Sequence, residues 1–165
     1  MASKYLALTA VLAACGVVTL TARLAAQPGD RPAVFTAQQA AGGRAAYEET
    51  CGKCHTPSLT GRKGDPGEFP ALTTLPADWQ KVVQDAGGRV PPLVGASFMA
   101  VWGPRTTKDL SQRIKEATLG GFPPQGATAE TALDIAAYVL QSNGARAGSQ
   151  PLTADIAVPV NSVAP

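Results

Sequence analysis

The longest apolar run lies at the start of the chain, where Tyr5 to Ala22 carries no charged residue, Lys4 precedes it and Arg23 follows it. Beyond that run, apolar positions recur at helical spacing in short stretches separated by Gly and Pro. Thr36 is placed to cap a helix running through Ala46 into Cys51, with Gly43, Tyr47 and Cys51 four apart on one face. Gly43 in mid-helix costs roughly 0.5–1 kcal/mol relative to Ala, which a second helix crossing closely there would explain; with the adjacent Gly42 it could also mark a weak helix start. Thr56 to Pro76, rich in Gly, Pro, Thr and charge, reads as loop. Pro76 then introduces a helix with Trp79, Val82, Val83 and Ala86 on its apolar face and Gly87-Gly88 as its end. A loop from Val90 to Gly95 leads to the apolar segment Phe98, Met99, Val101 and Trp102. Thr107 is expected to cap a helix with Leu110, Ile114 and Ala117 inward, stopping at Gly120-Gly121. Thr128 caps the last one, Ala129 to Ser142, with Leu133, Ala136, Ala137 and Leu140 on one face and Asn143-Gly144 as its stop. After Gly144 the Ala/Val/Pro-rich tail to Pro165 shows little periodicity and is expected to be disordered or ordered only on contact.

The opening run changes the picture of compartment. A basic start, an apolar stretch and the small pair Ala25-Ala26 make residues 1–26 an export leader. Three fates fit it: cleavage after Ala26, retention as an anchor at the short limit of a membrane span, or lipidation at Cys15, which follows Leu12-Ala13-Ala14 as in a lipobox. From Gln27 onward the charged residues balance at twelve of each sign. This gives no clustered basic surface of the kind nucleic-acid binding shows. The organisation expected is a leader over 1–26, a linker over 27–35, one domain over 36–144 and the tail over 145–165. With only nine aromatic residues in the whole chain, the domain has a thin core of its own, and a buried apolar cofactor would supply part of what is missing.

Cys51-Gly52-Lys53-Cys54-His55 is the stretch with the most chemistry. C-x-x-C-H is the attachment signature of c-type haem: two thiols three positions apart form thioethers to one porphyrin, and the adjacent imidazole binds iron. Zinc usually requires four ligands, and outside the leader the chain offers only Cys51, Cys54 and His55 from the Cys and His classes. A redox dithiol is expected beside a βαβ pattern, whereas here a helix precedes and a Gly/Pro-rich loop follows. A structural disulfide is permitted in an oxidising compartment but leaves His55 without a reason. The expectation is one covalent haem c, with Cys51 and Cys54 as its thioether positions and His55 as proximal iron ligand. Export fits it, because bacterial haem attachment takes place outside the cytoplasmic membrane.

From Thr36 to Gly144 the chain resembles class I cytochrome c domains. The residues that carry this are Gly43-x-x-x-Tyr47-x-x-x-Cys51-x-x-Cys54-His55 at one end and Asp134-Ile135-x-x-Tyr138-x-Leu140 at the other. Pro91-Pro92-Leu93-x-Gly95 followed by Phe98 and Trp102 is similar to the middle of small periplasmic cytochromes that accompany quinoprotein dehydrogenases. The resemblance implies an all-α, cytochrome c-like bundle of about four to five short helices around one covalently bound haem. Its N- and C-terminal helices would cross near Gly43 and Tyr138.

The chain departs from that family at the sixth iron ligand. Family members usually place a Met after the penultimate helix in a Met-Pro-Pro-like context; here Thr118-Leu119-Gly120-Gly121-Phe122-Pro123-Pro124 stands there, with Leu119 at the position of the Met. The remaining Met beyond Met1 is Met99, carried both as a gap-filling core residue and as the candidate distal ligand. His55 is the sole His, so the other choices are an open site or an unusual donor. With Met99 bound, the expected protein is an electron-transfer cytochrome rather than an enzyme, periplasmic and either soluble or membrane-tethered through the leader. Its partners would be redox proteins, either a periplasmic dehydrogenase or a respiratory complex. Without it, the alternative is an open haem that takes a gas or peroxide. A third reading is a haem subunit of a larger membrane oxidoreductase.

Overall fold

The computed structural model describes residues 31–119 and 128–165. The expectations for the leader and Cys15, for the Leu119 side chain and for Gly120 to Pro124 lie outside them. The described residues are mostly helical, in chain order α1 (Ala37–Glu49), α2 (Gly52–His55), α3 (Ala77–Asp85), α4 (Gly95–Trp102), α5 (Thr107–Leu119), α6 (Ala129–Ser142) and α7 (Val160–Val163). That is more helices than the four to five expected, because α2 and α7 are single turns too short to show periodicity. A two-residue antiparallel ribbon, β1 (Arg62–Lys63) with β2 (Arg89–Val90), was not foreseen either, since two residues carry no alternation to read.

The helix starts follow from local side-chain chemistry. Thr36 caps α1 in a capping box: its hydroxyl accepts the Gln39 N–H at 3.1 Å while the Gln39 side chain accepts the Thr36 N–H at 3.4 Å. Thr128 caps α6 through the Thr131 N–H, and Gly144 ends it at φ +86°. The cap of α5 is Thr106 rather than the expected Thr107: Thr106 Oγ1 accepts the Asp109 N–H, and Asp109 accepts the Thr106 N–H in return. Thr107 is instead buried, its hydroxyl donating to Ile156 O at 2.8 Å.

Helices α1 and α6 form the centre of the fold. They cross so closely that a Cβ on Gly43 would stand 1.8 Å from the Asp134 carbonyl oxygen and 2.8 Å from Ile135 N. The glycine therefore sits where backbone meets backbone, and the aromatic expected at the crossing lies one turn along, with Tyr138 tilted against Tyr47 at 5.4 Å between ring centres. Ala40, Tyr47, Ile135, Ala136, Val139 and Leu140 form the buried interface, continued by Phe98 of α4 and Leu110 of α5. A smaller apolar cluster gathers Cys54, Leu75, Val83 and Val90 under α3. There Val83 is buried, whereas Val82 is 48% exposed and does not share the inward face expected of it.

The tail packs on the domain. Gly148 N donates to Phe35 O, Leu152 and Gln39 exchange two hydrogen bonds, Thr107 N donates to Val158 O and Val160 N to Arg105 O. Leu152, Val160 and Val163 are each 2% exposed or less. The end of the expected linker joins the same layer: Phe35 is fully buried and Arg31 donates to the carbonyls of Asn161 and Ala164. Residues 31–35 and 145–165 are thus part of the body around α1 and α5, through contacts 49 to 133 residues apart in sequence that no local pattern announces.

Candidate functional site

At the end of α1 the chain turns once through α2, and this turn carries the Cys and His side chains. Cys54 N and His55 N both donate to Cys51 O, at 3.1 and 2.8 Å. Gly52 lies against Tyr47, where a Cβ would meet the Tyr47 carbonyl oxygen at 3.1 Å and the ring at 3.2 Å, so the residue between the cysteines is held small. The turn closes at Thr56, which adopts φ +67°, and the buried Tyr47 hydroxyl donates to Thr56 O at 2.7 Å. Arg62, itself buried, reaches back across the turn: Nη2 donates to Lys53 O and Nη1 to Pro70 O. Tyr47 on the inside and Arg62 on the outside therefore fix the orientation of α2.

Cys51, Cys54 and His55 line one cavity of about 340 Å³, within the range of small-molecule and cofactor pockets. Its remaining walls are largely apolar, with Leu93 and Trp102 before α5, Leu110 and Ile114 from α5, and Ile135 and Val139 from α6. Both cysteines are free thiols. Burial pushes both thiol pKa values up, for Cys54 against the opposing effect of the nearby Arg62 cation. Reactive dithiols rest on lowered thiol pKa values, so the electrostatics here run against redox-dithiol chemistry. Among the described residues no three His, Cys, Asp or Glu side chains are gathered so as to hold a metal ion between them.

His55 is held by its neighbours. Its Nδ1 lies 2.9 Å from Pro91 O. A carbonyl only accepts, so the bond places the proton on Nδ1 and leaves the Nε2 lone pair free. Burial lowers the imidazole pKa and so favours the neutral ring that can serve as a metal ligand, against the smaller opposing effect of the Pro91 bond. Pro91 is held in turn through its loop: Leu93 N donates to Leu59 O, while Asn143 Nδ2 donates to Leu93 O and its Oδ1 accepts the Gly95 N–H. The sequence marks Asn143 only as a helix stop. Its reach of fifty residues back to Leu93 ties the loop that orients His55 to the end of α6.

Comparison with family models, with curated proteins and with solved structures finds no match to this chain. The assignment therefore rests on the residues themselves. Of the four site residues expected from the sequence, Cys51, Cys54 and His55 share the cavity, whereas Met99 is not among the residues that line it. Met99 sits half-buried on α4 against the main core, its carbonyl accepting the Gly103 N–H at 2.8 Å. Trp79 and Trp102 both line the cavity. Lys53 lies over the ring of Trp79 at 5.6 Å and Arg105 over that of Trp102 at 4.9 Å. No helix among the described residues is long and apolar enough to cross a membrane.

Proposed function

We propose that this chain is an exported monohaem c-type cytochrome that passes single electrons between redox proteins. The observation that carries the proposal is the placement of two free thiols and a neutral, oriented imidazole on one wall of an otherwise apolar cavity. The residues present fit a porphyrin: thioether formation needs both thiols reduced and accessible from one side, and the apolar walls suit the macrocycle. When bound, haem supplies a one-electron iron couple. Cys51 and Cys54 would hold it covalently and His55 Nε2 would be the protein ligand, with Pro91 O fixing the ring's tautomer and direction as the outer hydrogen-bond partners of metal-binding histidines do. Leu110, Ile114, Ile135 and Val139 keep water from the buried side. A dehydrogenase or a respiratory complex is the class of partner this chemistry would serve, in the periplasm or on the outer face of the membrane.

The position of Met99 outside the cavity wall favours a second reading, an open haem that binds a small ligand such as a gas or peroxide. One experiment separates the two: optical spectra of the ferric and ferrous protein, repeated under carbon monoxide and in Met99→Ala. A low-spin ferric spectrum whose weak far-red sulfur band disappears in the variant supports a closed electron carrier with Met99 as distal ligand. A high-spin spectrum with rapid carbon monoxide binding, unchanged in the variant, supports the open site.

A further inference from the structure

Among the residues that line the cavity, Arg113 of α5 brings a positive charge to walls that are mostly apolar. Two carboxylates lie within helical reach of it, Asp109 at i−4 and Glu116 at i+3, positions from which an acid would ordinarily pair with an arginine. Both are committed elsewhere. Asp109 Oδ2 accepts the Thr106 N–H at 2.9 Å and the Thr106 hydroxyl at 2.7 Å, and Glu116 Oε1 accepts the Gln112 amide at 3.0 Å. The ion pairs Arg44–Glu48 and Lys81–Asp85 involve neither these acids nor Arg113. The cations beside the cavity's two tryptophans, Lys53 and Arg105, lie over indole rings. Arg113, itself exposed, thus enters the rim of the lining as a planar fork of donors with no anion among the described residues paired to it.

We infer that Arg113 is the anion-recognising residue of this cavity and pairs with a carboxylate carried by the cavity's occupant. The inference rests on the reading of the site as a haem pocket, in which the carboxylate is a porphyrin propionate. A guanidinium suits it because it meets a carboxylate through two parallel N–H bonds. A free small anion drawn into the cavity would use the same chemistry, and the experiment separates the two sources.

The holoprotein, matured with coexpressed haem-attachment machinery, is compared with Arg113→Gln and Arg113→Lys by redox titration across pH and by azide titration of the ferric form. Covalent haem content is measured first. Pairing with a propionate predicts that Arg113→Gln favours the ferric state about tenfold at a fixed applied potential, or ~59 mV for one electron. The pH step of the potential also moves upward, because an acid that loses its cationic partner titrates later. Arg113→Lys keeps most of the wild-type potential. A loss of azide affinity of about tenfold in Arg113→Gln, with an unmoved potential and pH step, assigns the residue to a free anion instead. Haem attached with both titrations unchanged in Arg113→Gln overturns the inference and leaves the haem reading intact. Absence of covalent haem overturns both.

Discussion

Replacing Gly43 by Ala adds one methyl at the tightest point of the fold, and replacing its neighbour Gly42 adds the same methyl where there is room. On Gly43 the new carbon would stand 1.8 Å from the Asp134 carbonyl oxygen and 2.3 Å from its carbon, backbone atoms that move only if α6 moves with them. On Gly42 it meets only the Asp134 carboxylate oxygen, at an ordinary 3.5 Å. Each substitution gains about 0.5–1 kcal/mol of helix propensity. At Gly43 the overpacking cost of about 3 kcal/mol or more exceeds that gain, for a net loss of about 2 kcal/mol; at Gly42 the gain stands alone. In urea denaturation followed by far-UV circular dichroism, a slope of about 2 kcal/mol/M turns these into a midpoint lowered by about 1 M for Gly43→Ala and raised by about 0.3 M for Gly42→Ala. The site reads the same event, since parting α1 from α6 draws Thr50 and Cys51 away from Ile135 and Val139 across the cavity. Equal effects of the two substitutions, or a Gly43→Ala protein at least as stable as wild type, would refute the crossing as the reason for the glycine.

Tyr47→Phe leaves the buried Thr56 carbonyl without its 2.7 Å donor; a loss of about 1–3 kcal/mol in denaturant titration is expected. Deleting residues 145–165 exposes the partners of Leu152, Val160 and Val163. At about 1.5–3 kcal/mol for each buried side chain the loss rivals the whole stability of a small domain, so the truncated chain should show no cooperative unfolding transition, whereas a full transition would mean the tail contributes nothing. The Thr106 hydrogen bonds hold the Asp109 pKa below its ordinary 3.8. Their contribution is therefore complete above pH 3.8 and lost as the pH falls through the lower folded value; Asp109→Asn should flatten that acid limb in thermal melts across pH 2–5. Asn143→Ala, by freeing the Leu93 and Gly95 backbone groups it holds, should loosen the loop that carries Pro91 and raise hydrogen exchange there.

What could be read from the chain follows the range of the interactions that matter. The grouping of Cys51, Cys54 and His55 on one turn was legible because they are nearly contiguous, and the starts of α1 and α6 because Thr36 and Thr128 act within three residues of themselves. The cap of α5 was misplaced by one because Thr106 and Thr107 carry the same side chain, and only the tertiary contact to Ile156 distinguishes them. The tail was left between disorder and order on contact because Leu152, Val160 and Val163 are too far apart to form a period and find their partners across the chain. Pro91 and Arg113 acquire roles from neighbours that sequence order does not place beside them: a histidine 36 residues away for the first, and for the second two acids in reach that are already engaged. Met99 was carried both as a gap-filling core residue and as a candidate ligand; it packs against the main core and is not among the residues that line the cavity.

The central claim is that Cys51 and Cys54 bind one haem covalently, and the most direct test is the intact mass of the denatured chain after coexpression with haem-attachment machinery. The account predicts the chain mass plus one haem that survives denaturation and acid extraction, and its loss in the Cys51→Ser, Cys54→Ser protein. A wild-type chain recovered at its bare polypeptide mass, with haem made and attached to a control cytochrome in the same cells, would contradict it.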